Sequence, residues 1–199
     1  MKRLGFTVIE LLIVIAIMAI LLTLGVVSFR NYQAHTRDKE RMADIQAIQN
    51  YLESIYPQEV RAADGTLLKA AGGYPAHYSG RSGPEKLTQA QFEKIFDGLG
   101  DAAKRGPSLA AGEAFLPAYQ GILAGGKSIN STADAFHYAS DYENNMAAGK
   151  KGGAYIYFAN NGPATNCDGR ESLCRRYIIL YHLETEDGGQ WKVAEGKRR

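Results

Sequence analysis

Glu10 is the acidic side chain that stands against a long apolar run. Phe6, Val8 and Ile9 precede it, and LLIVIAIMAILLTLGVVSF follows from Leu11 to Phe29. A carboxylate beside hydrocarbon is costly unless it is protonated or paired, so this position calls for a cationic partner. A chain cut before Phe6 would carry a new amine four residues from Glu10. Pairing within one chain and pairing between neighbouring helices packed with an axial offset are both open at this point. The other chemistry-bearing pair is Cys167 and Cys174, in a polar segment. Two cysteines with no histidine nearby are too few for a tetrahedral zinc site. In an exported domain they read as a disulfide closing a short loop, so the compartment decides their role. The histidines, His35, His77, His137 and His182, are dispersed. No dinucleotide fingerprint, nucleophile elbow or His-Glu-x-x-His pattern is present, and Gly125-Gly126-Lys127-Ser128, which has the ending of a phosphate loop with Gly121 five residues before Gly126, lacks the strand context that such a loop needs. Enzymatic activity is not expected.

The element that must hold Glu10 is a helix. Leu11 to Phe29 is nineteen residues without a charge, about 28 Å as a helix, the thickness of a bilayer's hydrocarbon core. Lys2 and Arg3 precede it, while Arg30 and Arg37 follow, so flanking charge favours a cytoplasmic N-terminus only slightly. The run is long for a cleaved signal peptide and no small-x-small site follows it. Beyond it the pattern turns amphipathic: Tyr32, Met42, Ile45, Ile48, Leu52 and Ile55 recur at three- and four-residue steps. Arg37, Asp38, Lys39, Glu40, Arg41 and Asp44 occupy the intervening faces, and Pro57 ends the pattern.

The segment Gly5-Phe6-Thr7-Val8-Ile9-Glu10-Leu11-Leu12, behind a small basic leader, resembles the cleavage and methylation motif of type IV prepilins and type II secretion pseudopilins. The resemblance implies cleavage between Gly5 and Phe6 by a prepilin peptidase and N-methylation of Phe6. It gives Glu10 the role of neutralising the N-terminal amine of a neighbouring subunit during assembly. It implies an organisation of four parts: 1–5 leader, 6–29 transmembrane and assembly helix, 30–56 amphipathic helix continuing into the head, and 57–199 extracytoplasmic head. The partners it implies are other copies of the chain and related pilins, the peptidase, an inner-membrane assembly platform and membrane lipid. The chain would begin as a single-pass membrane protein, N-terminus in the cytoplasm, and end in a surface or envelope-spanning filament. The reading from a different class is a non-filament, membrane-anchored interaction domain.

In the remainder, 58–85 reads as irregular surface chain rich in Gly, Ala, Ser and Pro. Thr88 and Gln91 form a capping-box signal for a helix over 89–99. Ser131 and Asp134 suggest a second short helix bearing Phe136, Tyr142 and Met146, while His137-Tyr138 also fits a strand. Residues 154–159, 176–183 and 190–193 read as an antiparallel meander turning at Asp187-Gly188-Gly189. One face of it would take the long helix and the other would face largely outward. The fold class expected is therefore α+β and pilin-like: a long N-terminal helix, transmembrane and then amphipathic, on a small C-terminal antiparallel sheet.

The formal charge is +2, with 23 basic and 21 acidic side chains, and without Lys2 and Arg3 the two signs balance. Direct nucleic-acid binding is not indicated, and Lys197, Arg198 and Arg199 form a short basic terminus. Calcium is the cofactor to consider, since some secretion pseudopilins bind it in a C-terminal loop. The oxygen donors are Asn160, Asn161, Asp168 and Glu171, or Asp141, Glu143, Asn144 and Asn145. Neither set has a recognisable ligand spacing, so no cofactor is expected.

Overall fold

A helix of 48 residues, α1 (Val8–Ile55), forms the spine of the computed structural model. The described residues are 7–76, 87–104, 106–107, 133–136, 155–160, 167, 172–185 and 189–197. Within them α1 is followed by β1 (Val60–Arg61), β2 (Leu67–Lys69), α2 (Gln89–Ile95), β3 (Ile156–Asn160), β4 (Arg176–Leu183) and β5 (Gln190–Lys197). Thr7 caps α1 at its start, and the helix stops at Ile55 with Tyr56 as its C-cap, one residue before Pro57. The described apolar side chains from Val8 to Phe29 are exposed, whereas Ile45, Ile48, Leu52 and Ile55 are buried. One sequence pattern thus makes two segments: an apolar rod, and a one-sided stripe laid on the head.

The late strands form one antiparallel sheet in the order β3-β4-β5. Ile179 pairs with Tyr157 on one side and Ala194 on the other, and this register gives the face toward α1 Tyr157, Ala159, Tyr177, Ile179 and Tyr181. Tyr177 needs Gly196 opposite it. A Cβ there would lie 2.0 Å from the tyrosine ring, so glycine lets the aromatic ring sit flat on the strand. Tyr74 then packs edge-on against Tyr177, with ring centroids 4.7 Å apart, and at a tilt against Tyr56 at 4.8 Å.

Three sequence expectations change. The far face of the sheet is not outward: Ile156, Phe158, Ile178 and Leu180 are buried there, with Ala135 of a helical turn over 133–136 against them. Their β-branched and aromatic character on alternate positions already demanded a cover. Next, 58–85 is not simply surface chain. β1 and β2 form a hairpin whose turn is set by Asp64, whose carboxylate accepts the Thr66 N–H at 2.9 Å, and by Gly65 at φ +83°. Leu68 and Tyr74 are fully buried as a result. Finally, α2 ends at Ile95 rather than 99, although Phe96 and Leu99 stay buried. The Tyr51 hydroxyl donates to the Ile95 carbonyl at 2.7 Å, and the Leu99 N–H turns back to Phe96 instead. Of the proposed second helix, residues 133–136 are helical, while Ser131, Tyr142 and Met146 lie outside the described residues.

Candidate functional site

Glu10 lies in the first turn of α1, where the chain builds a reciprocal cap. Thr7 N–H and Thr7 Oγ1 both donate to Glu10 Oε2 at 2.8 Å, and Glu10 N–H donates to Thr7 Oγ1 at 3.3 Å. The Thr-x-x-Glu spacing is a capping box that satisfies amides left open at a helix start. The sequence Thr7-Val8-Ile9-Glu10 carries this signal by itself. Glu10 is exposed, on a helix whose following turns carry exposed Leu11, Leu12, Ile13 and Val14. The cap holds a negative group at the head of an apolar rod, which suits both the positive end of the helix dipole and an external cation. Gly5 and Phe6 lie outside the described residues.

α1 is the one helix, among the described residues, long and apolar enough to cross a membrane, and its apolar window is not buried against the rest of the chain. These exposed side chains need a partner outside the subunit, whether lipid or protein.

Cys167 and Cys174 are joined by a disulfide, with Cα atoms 5.2 Å apart. Both are buried, and the Cys174 carbonyl accepts the Tyr74 N–H at 2.7 Å. That hydrogen bond ties the disulfide, just ahead of β4, to the tyrosine cluster above the end of α1. Of the oxygen donors considered for calcium, Asn160 closes β3, while Asn161, Asp168, Glu171, Asp141, Glu143, Asn144 and Asn145 lie outside the described residues. Among the described residues no group of three or more His, Cys, Asp or Glu could hold a metal.

Charged residues that read as a solvated helix face instead fasten α1 to the sheet. Asp38 and Arg41 are buried, at 5% and 0% exposure. The Asp38 carboxylate accepts the backbone N–H of Glu184 at 2.9 Å and of Thr185 at 2.9 Å, and the Thr185 hydroxyl at 2.7 Å. Arg41 donates to Asp38 at 2.7 Å and also to Glu184, which Arg37 grips through a two-pronged contact. Burial pushes the Asp38 carboxyl up, but Thr185, the two amides and Arg41 outweigh it and leave the group below its ordinary value. Arg37, followed by Arg41, holds Glu184 low as well. One turn on, Tyr155 donates to Asp44 at 2.6 Å. At the far end of α1 the buried Lys69 ammonium donates to the carbonyls of Tyr56, Gln58 and Ala70 at 3.2, 2.6 and 2.9 Å. Lys69 supplies from β2 the cation that the last turn of α1 lacks.

Residues 1–26 match the model of the prokaryotic N-terminal methylation motif. Comparisons with curated proteins and with solved structures found no match. The chain carries a prepilin-type methylation motif, and a long helix packed on a small C-terminal antiparallel sheet is the α+β arrangement consistent with type IV pilins and pseudopilins. The motif marks structural rather than catalytic proteins.

Proposed function

We propose that this chain is a structural subunit of a type IV pilus or a type II secretion-like filament. A prepilin peptidase cuts between Gly5 and Phe6 and Phe6 is N-methylated. The remaining helix holds the subunit in the cytoplasmic membrane, N-terminus inward, until an assembly platform moves it into the filament. In this reading 6–29 is the membrane and assembly segment, 30–56 continues into the head, and 57–199 is the extracytoplasmic head. The observation that carries it is the methylation motif over 1–26 running without a break into an exposed apolar helix. Outside the bilayer that helix is insoluble unless other copies cover it.

Glu10 then answers the N-terminal amine of a neighbouring subunit. Glu10→Gln is the informative substitution, because glutamine keeps the capping box and removes only the charge. The variant should insert in the membrane and be cut normally, while its recovery in sheared filaments falls to near zero. Filament yield equal to wild type would remove the pairing role and favour a membrane-anchored interaction domain.

A further inference from the structure

We propose that Asp38, Arg41 and Glu184 form an axial latch that sets the register of α1 in the head, so that tension drawn through the N-terminal helix passes into the sheet at the end of β4. Buried contacts of α1 with the head run from Asp38 to Ile55, about 26 Å of helix. The apolar part of that contact defines its register less sharply than the polar part. Drawing α1 toward its N-terminus by one turn brings residue i+3 or i+4 to the place of residue i. A three-residue step would put Ile48 where Ile45 was, Tyr51 where Ile48 was and Ile55 where Leu52 was, all still apolar or aromatic, with Gln58 falling in the place of Ile55.

The polar part tolerates no such slip. The same displacement carries Arg41 or Met42 to the amides of Glu184 and Thr185, which Asp38 now satisfies. It carries Asp44 to the place of Arg41, beside the Glu184 carboxylate. Amide donors would face a cation or a thioether, and carboxylate would face carboxylate. The order Asp38, Arg41, Asp44 along one helix face thus selects against the neighbouring register, the use to which buried ionic groups are best suited. Tyr155 on Asp44 and Lys69 on the carbonyls after α1 fix the same alignment further along.

The tension rests on the filament reading, but the latch is measured on the isolated subunit. The whole disulfide-bonded chain, in a detergent micelle, is pulled between a cysteine introduced by Asn31→Cys and the C-terminus in a single-molecule force experiment. Asp38→Asn is compared with the core change Ile48→Ala, and the equilibrium stability of each variant is measured alongside its unfolding force. The latch predicts that Asp38→Asn lowers the force at which α1 leaves the head by about half, and that Ile48→Ala lowers it less. Forces that fall in simple proportion to equilibrium stability for both variants overturn the proposal. Should Asp38→Asn fail to fold, Glu184→Gln, at the partly exposed rim, takes its place with the same two outcomes. Processing and filament yield are measured separately, so loss of the filament reading would leave this result standing.

Discussion

The Asp38 carboxylate and the Glu184 amide meet at 2.9 Å across 146 residues of chain. This contact and its neighbours place a buried ion pair where α1 first touches the head, beyond the stretch that the membrane motif explains. Long helix and sheet are therefore joined by specific polar chemistry as well as by an apolar stripe.

Breaking the pair from each side separately should cost more in sum than removing both partners together. Asp38→Ala leaves two amides and the Thr185 hydroxyl without their acceptor and takes from buried Arg41 one of its carboxylate partners, a loss of about 3–5 kcal/mol. A double replacement, Asp38→Leu with Arg41→Met, should cost less than the sum of the two single replacements, because neither Asp38 nor Arg41 is then left buried without the other. Denaturant unfolding of the detergent-held chain measures Asp38→Ala, the two single replacements and the double.

Lys69 gives the head an alkaline signature. Burial pulls its ammonium down from 10.5 to about 8. Between those values the unfolded chain binds the extra proton, so stability rises with pH. The gain from pH 8 to 10 is about 2 kcal/mol. Above that, the unfolded chain ionises tyrosines that the head holds protonated, since burial pushes Tyr155 and Tyr157 up, and stability falls again. Lys69→Met should abolish the rise and, at neutral pH, cost about 1–3 kcal/mol through the carbonyls of Tyr56, Gln58 and Ala70. Unfolding curves at stepped pH test both points.

Gly196→Ala should destabilise by about 1–3 kcal/mol, because the added methyl meets the Tyr177 ring rather than open space. Gly100→Ala, where nothing lies within 4 Å of the new Cβ, is the control and should change little. Thermal unfolding in detergent distinguishes the two.

Local patterns were readable where the pattern alone determines the structure. The apolar run, the three- and four-residue stripe, Pro57 and the aromatic strands each dictate an element by themselves, and those elements are present. Asp64-Gly65 and Thr7-x-x-Glu10 were equally local signals, for a turn and a cap, that composition around them obscured. Asp38 and Arg41 were not readable in this way. On a helix, charge normally marks the wet face, and their partners, Glu184 and Thr185, become neighbours only once β4 has folded back along α1. The cover on the far face of the sheet was hidden for the same reason, since Ala135 is brought there by tertiary contact alone.

The central claim is that this chain is a processed filament subunit. Filaments sheared from native cells, and the membranes left behind, should both be digested and the N-terminal peptide of the chain weighed by mass spectrometry. The account predicts a peptide that begins at N-methylated Phe6, abundant in the sheared fraction for a surface pilus and confined to the membrane fraction for a secretion filament. An intact Met1 to Gly5 leader in both fractions would contradict it.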